Sequence, residues 1–399
     1  MVAPQGVPGA KLDPANKPPS AAGSESDNVT GDVAQLRNLD CGWDCLQFLC
    51  VPPLPLDSVM APAFVHRDRN AVCVMDASSR LGVSLVIRLL QRGYTVHAAA
   101  YSRGKHRVSL ERLLAENRRL RLFDADPFDY HSIVEAVRGC SGLFYAFDPP
   151  QEEPYDDLVV DVEVRAAHNA VEACAQVETM ERVIFTSSVT AVVWQEHREL
   201  AVEFDEREWS EPSFCRKNKN TASINVAADN CLTKMLFAIR QLWHAVAKTL
   251  AEKTAWALAM DRGVDMISIN AGLVMVPELS ANSSYLKGAM EMYNAGVLVT
   301  VDVDFLVDAH VAVYESAEAY GRYLCFNNVI RRPPDATKLA EMLSPDVVHP
   351  PAWLALLPTL YELKVEEQHI QNKKLNKVLM DFDPGRQVDE QELNRLTMD

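Results

Sequence analysis

Short apolar segments alternate with helical patterns from residue 71 onward, and this alternation limits the possible folds more than any other feature. The apolar segments have the composition of buried strands and are Ala71–Met75, Tyr94–Ala100, Arg119–Phe123, Gly142–Phe147 and Arg182–Ser187. The helical patterns between them are Val83–Arg92, Leu110–Asn117, Tyr130–Val137 and Asp157–Val177. The alternation predicts βαβ units, so we expect an α/β fold with a doubly wound parallel, Rossmann-like sheet. Ligands of such sheets bind at the carboxyl ends of the strands.

The chain after the fifth strand continues this pattern and then becomes mixed. A helix begins at Leu242, and a sixth strand is predicted at Val264–Asn270. The later predicted elements are helices near Ser284–Asn294, Phe305–Glu318, Trp353–Leu363 and Asn372–Met380, and a strand at Tyr323–Asn328. We therefore divide the folded part into a Rossmann-like domain at 60–275 and a smaller C-terminal substrate lobe with further helices at 276–399.

Two segments do not fit this pattern. Residues 1–59 are rich in Pro, Gly, Ala, Ser and Asp, a composition that cannot bury a core, and we expect a disordered extension there. The extension lacks the features of a secretory signal and is too acidic for a transit peptide. Residues 220–241 separate a basic loop from the helix at Leu242, and we interpret them as an insertion.

The net charge of −16 limits the partners of the chain. Nucleic acid and anionic lipid would both repel it, and no apolar run reaches the roughly 18 residues of a membrane span. The cysteines are scattered and mostly lie in apolar runs, as in proteins of a reducing compartment. Cys41, Cys45 and Cys50 lack the paired spacing of a zinc site. We predict a cytoplasmic protein with a small-molecule substrate and without metal, nucleic acid or membrane partners; no oligomeric state is predicted.

The segment Leu242–Trp256 carries the most unusual pair of titratable residues. Its pattern predicts an amphipathic helix with Trp243, Val246, Leu250 and Trp256 on or near an apolar stripe. His244 and Lys248 are four residues apart, so they project from the same face of that helix. An imidazole beside an ammonium group is electrostatically unfavourable unless a cleft or a bound anion uses both. The pair is therefore a candidate for catalysis.

Seven stretches, in the same order, carry a resemblance to a known family. They are RLLQRGYTVHA (88–98), LRLFDADPFDY (120–130), VRGCSGLFYAFDP (137–149), RVIFTSSVTAV (182–192), EWSEPSFCR (208–216), KTLAEKTAW (248–256) and YGRYLCFNN (320–328). With them, residues 70–330 resemble the plant cinnamoyl-CoA reductase and dihydroflavonol reductase group of the extended short-chain dehydrogenases. The likeness is greatest to an atypical branch that has LWHA where the reductases have a tyrosine helix.

The resemblance implies a nicotinamide dinucleotide whose pyrophosphate lies on the turn Met75–Gly82. The family has glycines in this turn, which allow close approach of the backbone to the phosphates; here Gly82 is kept and Asp76 replaces the first one. The Asp76 carboxylate is expected to weaken cofactor binding by repulsion. Ser79 and the helix N-terminus can still hold a phosphate, and Arg80 can offset the charge of Asp76. The alternative is a retained fold that binds dinucleotides poorly.

The loop after the second strand favours NADP over NAD. An acidic residue there would bind the ribose hydroxyls of NAD, but the loop has Tyr101, Arg103 and further basic residues. We assign Arg103 to the 2′-phosphate, although such a loop is also often only a solvated surface. Asp126 occupies the position that, by the resemblance, contacts the adenine.

The resemblance implies that Ser188 and Lys248 are catalytic and that His244 stands at the position of the family's tyrosine. In the family, Ser and Tyr hydrogen-bond the substrate carbonyl, and Lys lowers the pKa of the Tyr and holds the nicotinamide ribose. Lys248 is thus assigned to the cofactor as well. The imidazole is shorter than a phenol, and a misplaced donor of about 1 Å can cost about a hundredfold in rate.

Two hypotheses are consistent with these residues. The first is an NADP-dependent oxidoreductase that acts on a carbonyl or alcohol (CH–OH) group or on an acyl-CoA thioester, with phenylpropanoids as one substrate class. The second is a catalytically impaired member of the fold that senses a ligand or binds a partner. Ser188 and Lys248 favour the first hypothesis, whereas Asp76 and His244 together favour the second.

Overall fold

The part of the chain that the computed structural model describes contains most of the predicted elements. It comprises residues 70–101, 106–149, 157–196, 204–217, 242–276, 279, 283–343 and 370–382, all within one unit, Val65–Asp399. The predicted extension at 1–59, the predicted insertion at 220–241, the predicted helix at 353–363 and Arg103 lie outside the described residues.

Ten strands are present in the described residues. They are β1 (Ala71–Met75), β2 (Thr95–Ala100), β3 (Leu120–Asp124), β4 (Gly142–Tyr145), β5 (Arg182–Ser188), β6 (Met266–Ala271), β7 (Leu273–Met275), β8 (Val299–Asp302), β9 (Gly321–Cys325) and β10 (Asn328–Val329). Seven of them form an all-parallel sheet in the order β3-β2-β1-β4-β5-β6-β9. The chain runs outward in both directions from β1, so the predicted doubly wound sheet is confirmed.

Helices cover both faces of this sheet. The α-helices of the described residues are α1 (Arg80–Gln91), α2 (Arg107–Glu116), α3 (Tyr130–Val137), α4 (Asp157–Ala175), α5 (Pro212–Lys217), α6 (Trp243–Arg262), α7 (Ala289–Asn294), α8 (Val303–Glu315), α9 (Pro333–Leu343) and α10 (Lys373–Phe382). Helices α1, α2, α8 and α10 bury their apolar residues on one face, and α3, α4 and α6 on the other. Strand β1 is buried between the two layers, which explains its continuous apolar sequence.

Alanines, rather than large residues, form the contact between α4 and α6. The buried alanines of the two helices are Ala166, Ala167, Ala170, Ala173, Ala251, Ala255 and Ala259. Small side chains allow the helix axes to approach closely. The large residues of the predicted apolar stripe of α6 also pack against the core: Val246 is fully buried, and Trp243, Leu250 and Trp256 are partly buried. The inward face carries the alanines together with His244 and Lys248.

A second, smaller sheet follows β6 and has the order β10-β8-β7. The sequence predicted neither β7 nor β8, because both are very short. A 3₁₀ segment, Ser284–Gly288, and α7 precede β8 and pack into the same apolar cluster as the N-terminal end of α6. This part of the chain thus adjoins the end of the helix that carries His244.

Strand β9 lies beyond residue 275, where the sequence placed the start of a smaller lobe, yet it joins the main sheet. Its residues pair with β6, with Ile267 opposite Gly321 and Ala271 opposite Cys325. Helices α8 and α10 then cover β9 and its neighbours. The chain after residue 275 therefore contributes to both sheets, because β9 supplies the hydrogen-bonding partner that β6 would otherwise lack at its outer edge.

The buried cysteines and the helix lengths bear on two further expectations. Cys73, Cys140, Cys174, Cys215 and Cys325 are buried free thiols, as predicted for cysteines in apolar runs. Within the described ranges, no helix combines the length and the apolarity that crossing a membrane requires.

Candidate active site

The carboxyl ends of the strands bring several predicted site residues to one edge of the main sheet. Asp76 directly follows β1, Tyr101 directly follows β2, and Ser188 is the last residue of β5. The strand order reverses between β1 and β4, which is where doubly wound sheets form their ligand crevice. His244 and Lys248, on the first turns of α6, reach the same edge through the contacts described below.

The turn between β1 and α1 keeps a tight backbone although it lacks the first glycine. Asp76 has a φ of 59°, in the left-handed region that Asp tolerates better than most residues with a side chain. Gly82 packs so closely on this turn that a Cβ atom there would lie 2.2 Å from the Asp76 carbonyl oxygen. Asp76, which tolerates the left-handed conformation, and Gly82 therefore preserve the shape of the turn that the family resemblance requires.

Two serine hydroxyls close this turn. Ser79 Oγ accepts a hydrogen bond from the Gly82 N–H at 3.0 Å and donates one to the Asp76 carbonyl at 2.9 Å, so it caps α1. Ser78 Oγ donates to Asp76 Oδ1 at 3.0 Å and accepts from the Tyr101 N–H at 3.1 Å. A phosphate bound at the N-terminus of α1 would therefore share this helix end with the capping side chain of Ser79.

Two carboxylates, Asp76 and Asp148, lie close together after the neighbouring strands β1 and β4. Burial raises the pKa of Asp76 to about 6, against the lowering effect of the Ser78 hydrogen bond, and the charge of Asp148 raises it further. Asp148 follows β4, and its backbone N–H donates to the Asp76 carboxylate. Above pH 6 the crevice thus holds two negative charges close to the path that the resemblance assigns to a pyrophosphate.

The other residues assigned to the cofactor lie at the rim. Arg80 is the exposed first residue of α1. Asp126 is exposed in the loop after β3, and its Oδ1 accepts a hydrogen bond from the Phe128 N–H at 2.8 Å. Their assignments, and that of Arg103, stay predictions.

Ser188, Thr190 and His244 form a continuous row of hydrogen bonds. Thr190 Oγ1 donates to Ser188 Oγ at 2.9 Å and lies 3.0 Å from His244 Nδ1. Ser188 Oγ also accepts from the Thr190 N–H at 3.2 Å. Because the threonine proton is directed to Ser188, the contact with His244 requires the Nδ1–H tautomer. Ser188 Oγ accepts in both contacts, so its own proton is available to donate.

His244 is held as a neutral imidazole. Burial lowers its pKa to about 3, and the nearby Lys248 charge contributes to the same shift. The ring of Tyr285, from the 3₁₀ segment before α7, meets the imidazole edge-on with 5.8 Å between centroids. At physiological pH the imidazole therefore carries one proton on its ring nitrogens rather than two.

Lys248 lies between two carboxylates from different elements. Its Nζ is 3.0 Å from Asp148 Oδ1 and 3.1 Å from Glu163 Oε2, on α4. Burial alone would lower the pKa of Lys248, but the charges of Glu163 and Asp148 outweigh it and raise that pKa above its ordinary value. The ammonium group is therefore permanently charged and already has two anionic partners.

A buried cluster behind the row fixes the end of β5. Asn270 Nδ2 donates to the Ser188 carbonyl at 3.3 Å and to Glu252 Oε2 at 2.8 Å. Ser187 Oγ donates to the same Glu252 oxygen at 2.7 Å, and Arg322 Nε donates to Glu252 Oε1 at 2.8 Å. Trp209 covers the Arg322 guanidinium at 3.7 Å. The cluster holds Ser188 on a rigid strand end.

The backbone of this crevice suits a nicotinamide dinucleotide, whereas the charged side chains of the crevice oppose its phosphates. The tight turn, the close approach of Gly82 and the N-terminus of the twelve-residue helix α1 match a pyrophosphate. Asp76 and Asp148 oppose the phosphate charges. The residues that would hold the group are the α1 N-terminus with Arg80 for the phosphates and Lys248 for the nicotinamide ribose.

Comparison with known sequences identifies the family. Residues 77–222 match a family model described as NAD(P)H-binding. Cinnamoyl-CoA reductase 1 of Petunia hybrida is 31% identical over 327 residues, which cover 80% of this chain and 89% of that protein. The chain belongs to the cinnamoyl-CoA reductase and dihydroflavonol reductase family. A bifunctional dihydroflavonol 4-reductase/flavanone 4-reductase of Malus domestica is also 31% identical, over 79% of this chain and 86% of that protein.

Solved structures show the same reductase fold. Vestitone reductase from alfalfa (Medicago sativa L.) has a TM-score of 0.55 and 24% identity, covering 78% of this chain and 92% of that one. A yeast methylglyoxal/isovaleraldehyde reductase complexed with NADPH has a TM-score of 0.52 and 17% identity, over 77% and 92% of the two chains. These likenesses show the fold, and the NAD(P)-binding part of it is the one that the family model matches at residues 77–222.

Sequence reasoning missed three residues of the site. Thr190, Asp148 and Glu163 contact Ser188, His244 or Lys248, yet none was selected. Thr190 stands two residues after Ser188 and Asp148 directly follows an apolar strand, so both positions carried a signal. Glu163 interrupts the apolar face of a helix, which is visible in sequence, but its partner on α6 is known only from the packing of the two helices.

Proposed function

We propose that the protein is an NADP(H)-dependent oxidoreductase that interconverts a carbonyl and an alcohol, or reduces an acyl-CoA thioester, in the manner of its cinnamoyl-CoA reductase relatives. The observation that carries the proposal is the row Ser188–Thr190–His244 with Lys248 one helical turn away. Phenylpropanoid aldehydes and thioesters are the substrate class that the relatives suggest.

The row delivers hydrogen bonds and a proton to a substrate oxygen. A bound nicotinamide supplies the hydride in this chemistry. Ser188 Oγ, which accepts two hydrogen bonds from Thr190, donates its own proton to the carbonyl oxygen. As negative charge grows on that oxygen, the Ser188 hydroxyl proton transfers to it. The Thr190 hydroxyl proton then passes to Ser188 Oγ, and the His244 Nδ1 proton passes to Thr190 Oγ1.

This relay explains how a neutral histidine replaces a phenol. With a pKa of about 3, the imidazole holds no second proton that it could give up. Instead it passes the Nδ1 proton to Thr190 Oγ1, and a proton from solvent is taken up at Nε2, so that the ring stays neutral. Thr190 fills the distance between the short imidazole and Ser188, so that the two groups are linked through 3.0 Å and 2.9 Å contacts. The charge of Lys248 stabilises the developing alkoxide.

The assignment of NADP rests on charge. The loop after β2 has no acidic residue and contains Arg103 and further basic residues, which suit a 2′-phosphate. The NADPH in the yeast structure supports the same choice. The small sheet and the 3₁₀ segment with Tyr285 are assigned to the substrate side. The substrate lobe then takes up only part of the predicted range 276–399, because β9, α8 and α10 belong to the main sheet and its helical layer. A cytoplasmic location stays a prediction from the sequence.

Turnover with the full chain tests the proposal. Oxidation of NADPH is followed by absorbance with cinnamaldehyde and p-coumaroyl-CoA as substrates, for the parent and for Thr190→Val. The valine removes the hydroxyl without changing the shape, so we expect kcat to fall about a hundredfold with little change in KM. Thr254→Val, on the same helix as His244 but with no contact to the row, is the control. Equal rates for the parent and Thr190→Val would contradict the relay.

A second candidate function is ligand binding without catalysis. The acidic crevice and the low pKa of His244 favour it. Under single-turnover conditions with enzyme in excess, this candidate predicts that p-coumaroyl-CoA or NADPH binds, as measured by calorimetry, while no NADP⁺ forms. Formation of NADP⁺ that Lys248→Met abolishes, and that Lys377→Met on the exposed side of α10 does not, would exclude it.

A further inference from the structure

Lys248 has two anionic partners, and they differ in their surroundings. Glu163 is 3% exposed and lies on α4, inside the contact with α6, whereas Asp148 is 49% exposed at the crevice. The lysine side chain itself is 11% exposed. Asp148 can turn into water when a ligand enters, whereas Glu163 is enclosed between the two helices, where its charge is favourable beside the ammonium group.

The two ion pairs occupy donors that a ribose would need. An ammonium group has three N–H donors, and two of them are directed to Asp148 and Glu163 at 3.0 and 3.1 Å. The proposed function requires the same ammonium to bind the nicotinamide ribose. A dinucleotide must therefore compete with at least one carboxylate, in addition to the repulsion between its phosphates and Asp148.

We propose that Glu163 is a positioning residue that holds Lys248 toward α4 and thereby lowers the affinity of the protein for the nicotinamide-ribose half of its cofactor. The inference rests on the proposed function, since it assigns Lys248 to that ribose. It implies that the protein binds nicotinamide dinucleotides weakly and that one buried charge, rather than the fold, sets this weakness.

Glu163→Gln tests the inference, because it keeps the size and hydrogen bonding of the side chain and removes the charge. Affinities of the full chain are measured by calorimetry for NADPH and for adenosine 2′,5′-bisphosphate, which lacks the nicotinamide ribose. We expect NADPH to bind the variant roughly tenfold more tightly, as freeing one ion-paired donor suggests. The bisphosphate is expected to bind both proteins equally. Glu135→Gln, at an exposed position of α3, is the matched control.

A purely structural role for Glu163 predicts different results. The variant would then lose stability while its NADPH affinity stayed constant or fell, and this outcome overturns the inference. Equal tightening of both ligands also overturns it, because the effect would then be general electrostatic attraction. Glu163→Asp retains the charge and is expected to keep the parent's NADPH affinity.

The outcomes for the parent separate the inference from the proposed function. If the parent binds and oxidises NADPH and Glu163→Gln binds it no better, the function stands and the inference fails. If the parent does not bind NADPH but the variant does, the inference stands and the function of the parent fails. If neither binds, both fail. Should Glu163→Gln not fold, Glu163→Met, which also removes the charge and keeps most of the side-chain volume, is judged by the same two ligands against the same control.

Discussion

At the scale of single residues, Asp76 keeps the backbone conformation of the turn but adds a carboxyl group to the crevice. Its φ of 59° shows that the position has the conformation of a glycine turn, while its side chain, bonded to Ser78, places a carboxyl group in the crevice. The sequence change from Gly to Asp therefore leaves the turn intact and alters its electrostatics. A family member can in this way keep its fold and lose part of its cofactor affinity.

The raised pKa of Asp76 predicts a pH-dependent stability. The folded protein holds the Asp76 proton up to a pH of about 6, and the unfolded chain releases it at the ordinary value of 3.8. Stability is therefore lost as the pH rises from about 4 to about 6, and the full cost remains above 6. We expect Asp76→Asn, which tolerates the same φ, to gain about 2 kcal/mol at pH 8 and about half as much at pH 5.

Urea unfolding at both pH values measures this difference. Asp381→Asn, at an exposed position of α10, is the control and is expected to change little at either pH. A gain for Asp76→Asn that is the same at pH 5 and pH 8 would show that the carboxyl group of Asp76 does not titrate in this range.

His244 and Thr190 act on Ser188 as one unit in the proposed function. The imidazole alone would leave a gap to Ser188, and the threonine hydroxyl fills it. Burial keeps His244 neutral, so the row carries no charge that would oppose Lys248. The chemistry assigned to a single phenol in the family is thus assigned here to two side chains.

At the scale of elements, α6 positions three ionisable groups on consecutive turns of one face. His244 contacts Thr190, Lys248 pairs with Glu163 and Asp148, and Glu252 pairs with Arg322. Positions four apart on a helix share a face, so the alanine contact with α4 brings all three inward together. The helix ends at Gly263, whose φ of 70° provides the left-handed cap.

The Glu252–Arg322 pair is expected to be the most sensitive electrostatic contact of this helix. Glu252 is fully buried and Arg322 is 8% exposed, so removal of the carboxylate leaves a buried guanidinium without its counter-charge. We expect Glu252→Gln to lower the free energy of unfolding by about 3 kcal/mol. Glu111→Gln, which removes the exposed pair with Arg107, is expected to cost less than about 1 kcal/mol.

Urea unfolding of the two variants provides the measurement. The prediction fails if Glu252→Gln costs no more than Glu111→Gln. Activity of Glu252→Gln is informative as well, because Asn270 and Ser187 share the Glu252 carboxylate and adjoin Ser188.

At the scale of the whole molecule, the main sheet is completed by the last described parts of the chain. Strand β9 pairs with β6, and α10 lies on β9 and α8 through Leu375 and Leu379. Lys374 adds hydrogen bonds from its Nζ to the carbonyls of Tyr320 and Arg322. Residues separated by some hundred positions in sequence therefore stabilise the same layer.

Leu375→Ala tests whether α10 is part of the sheet domain. Leu375 is fully buried, so we expect a loss of about 3 kcal/mol in the free energy of unfolding. Met380→Ala, on the same helix but 43% exposed, is expected to change it by less than about 0.5 kcal/mol. A single cooperative transition with the midpoint lowered by Leu375→Ala would place α10 in the main unit. An unchanged midpoint would show that α10 unfolds independently.

The sequence by itself determined the doubly wound sheet, the family and the edge of the sheet where Ser188 lies. Each of these depends on local patterns: apolar runs of strand length, helical periodicity between them, and motifs a few residues long. The apolar stripe predicted on α6 contained only its large residues, whereas the contact with α4 is made by alanines, whose role a pattern of large side chains does not reveal.

Only the tertiary structure decided what surrounds Lys248 and His244. Glu163, Asp148 and Thr190 come from three different elements, and their distances to α6 depend on how closely two helices and a strand end approach one another. Contacts between residues distant in sequence leave no periodic signal in either segment. The state of the two side chains, a neutral imidazole and a lysine bound by two carboxylates, follows from burial and neighbouring charges, which exist only after the chain has folded.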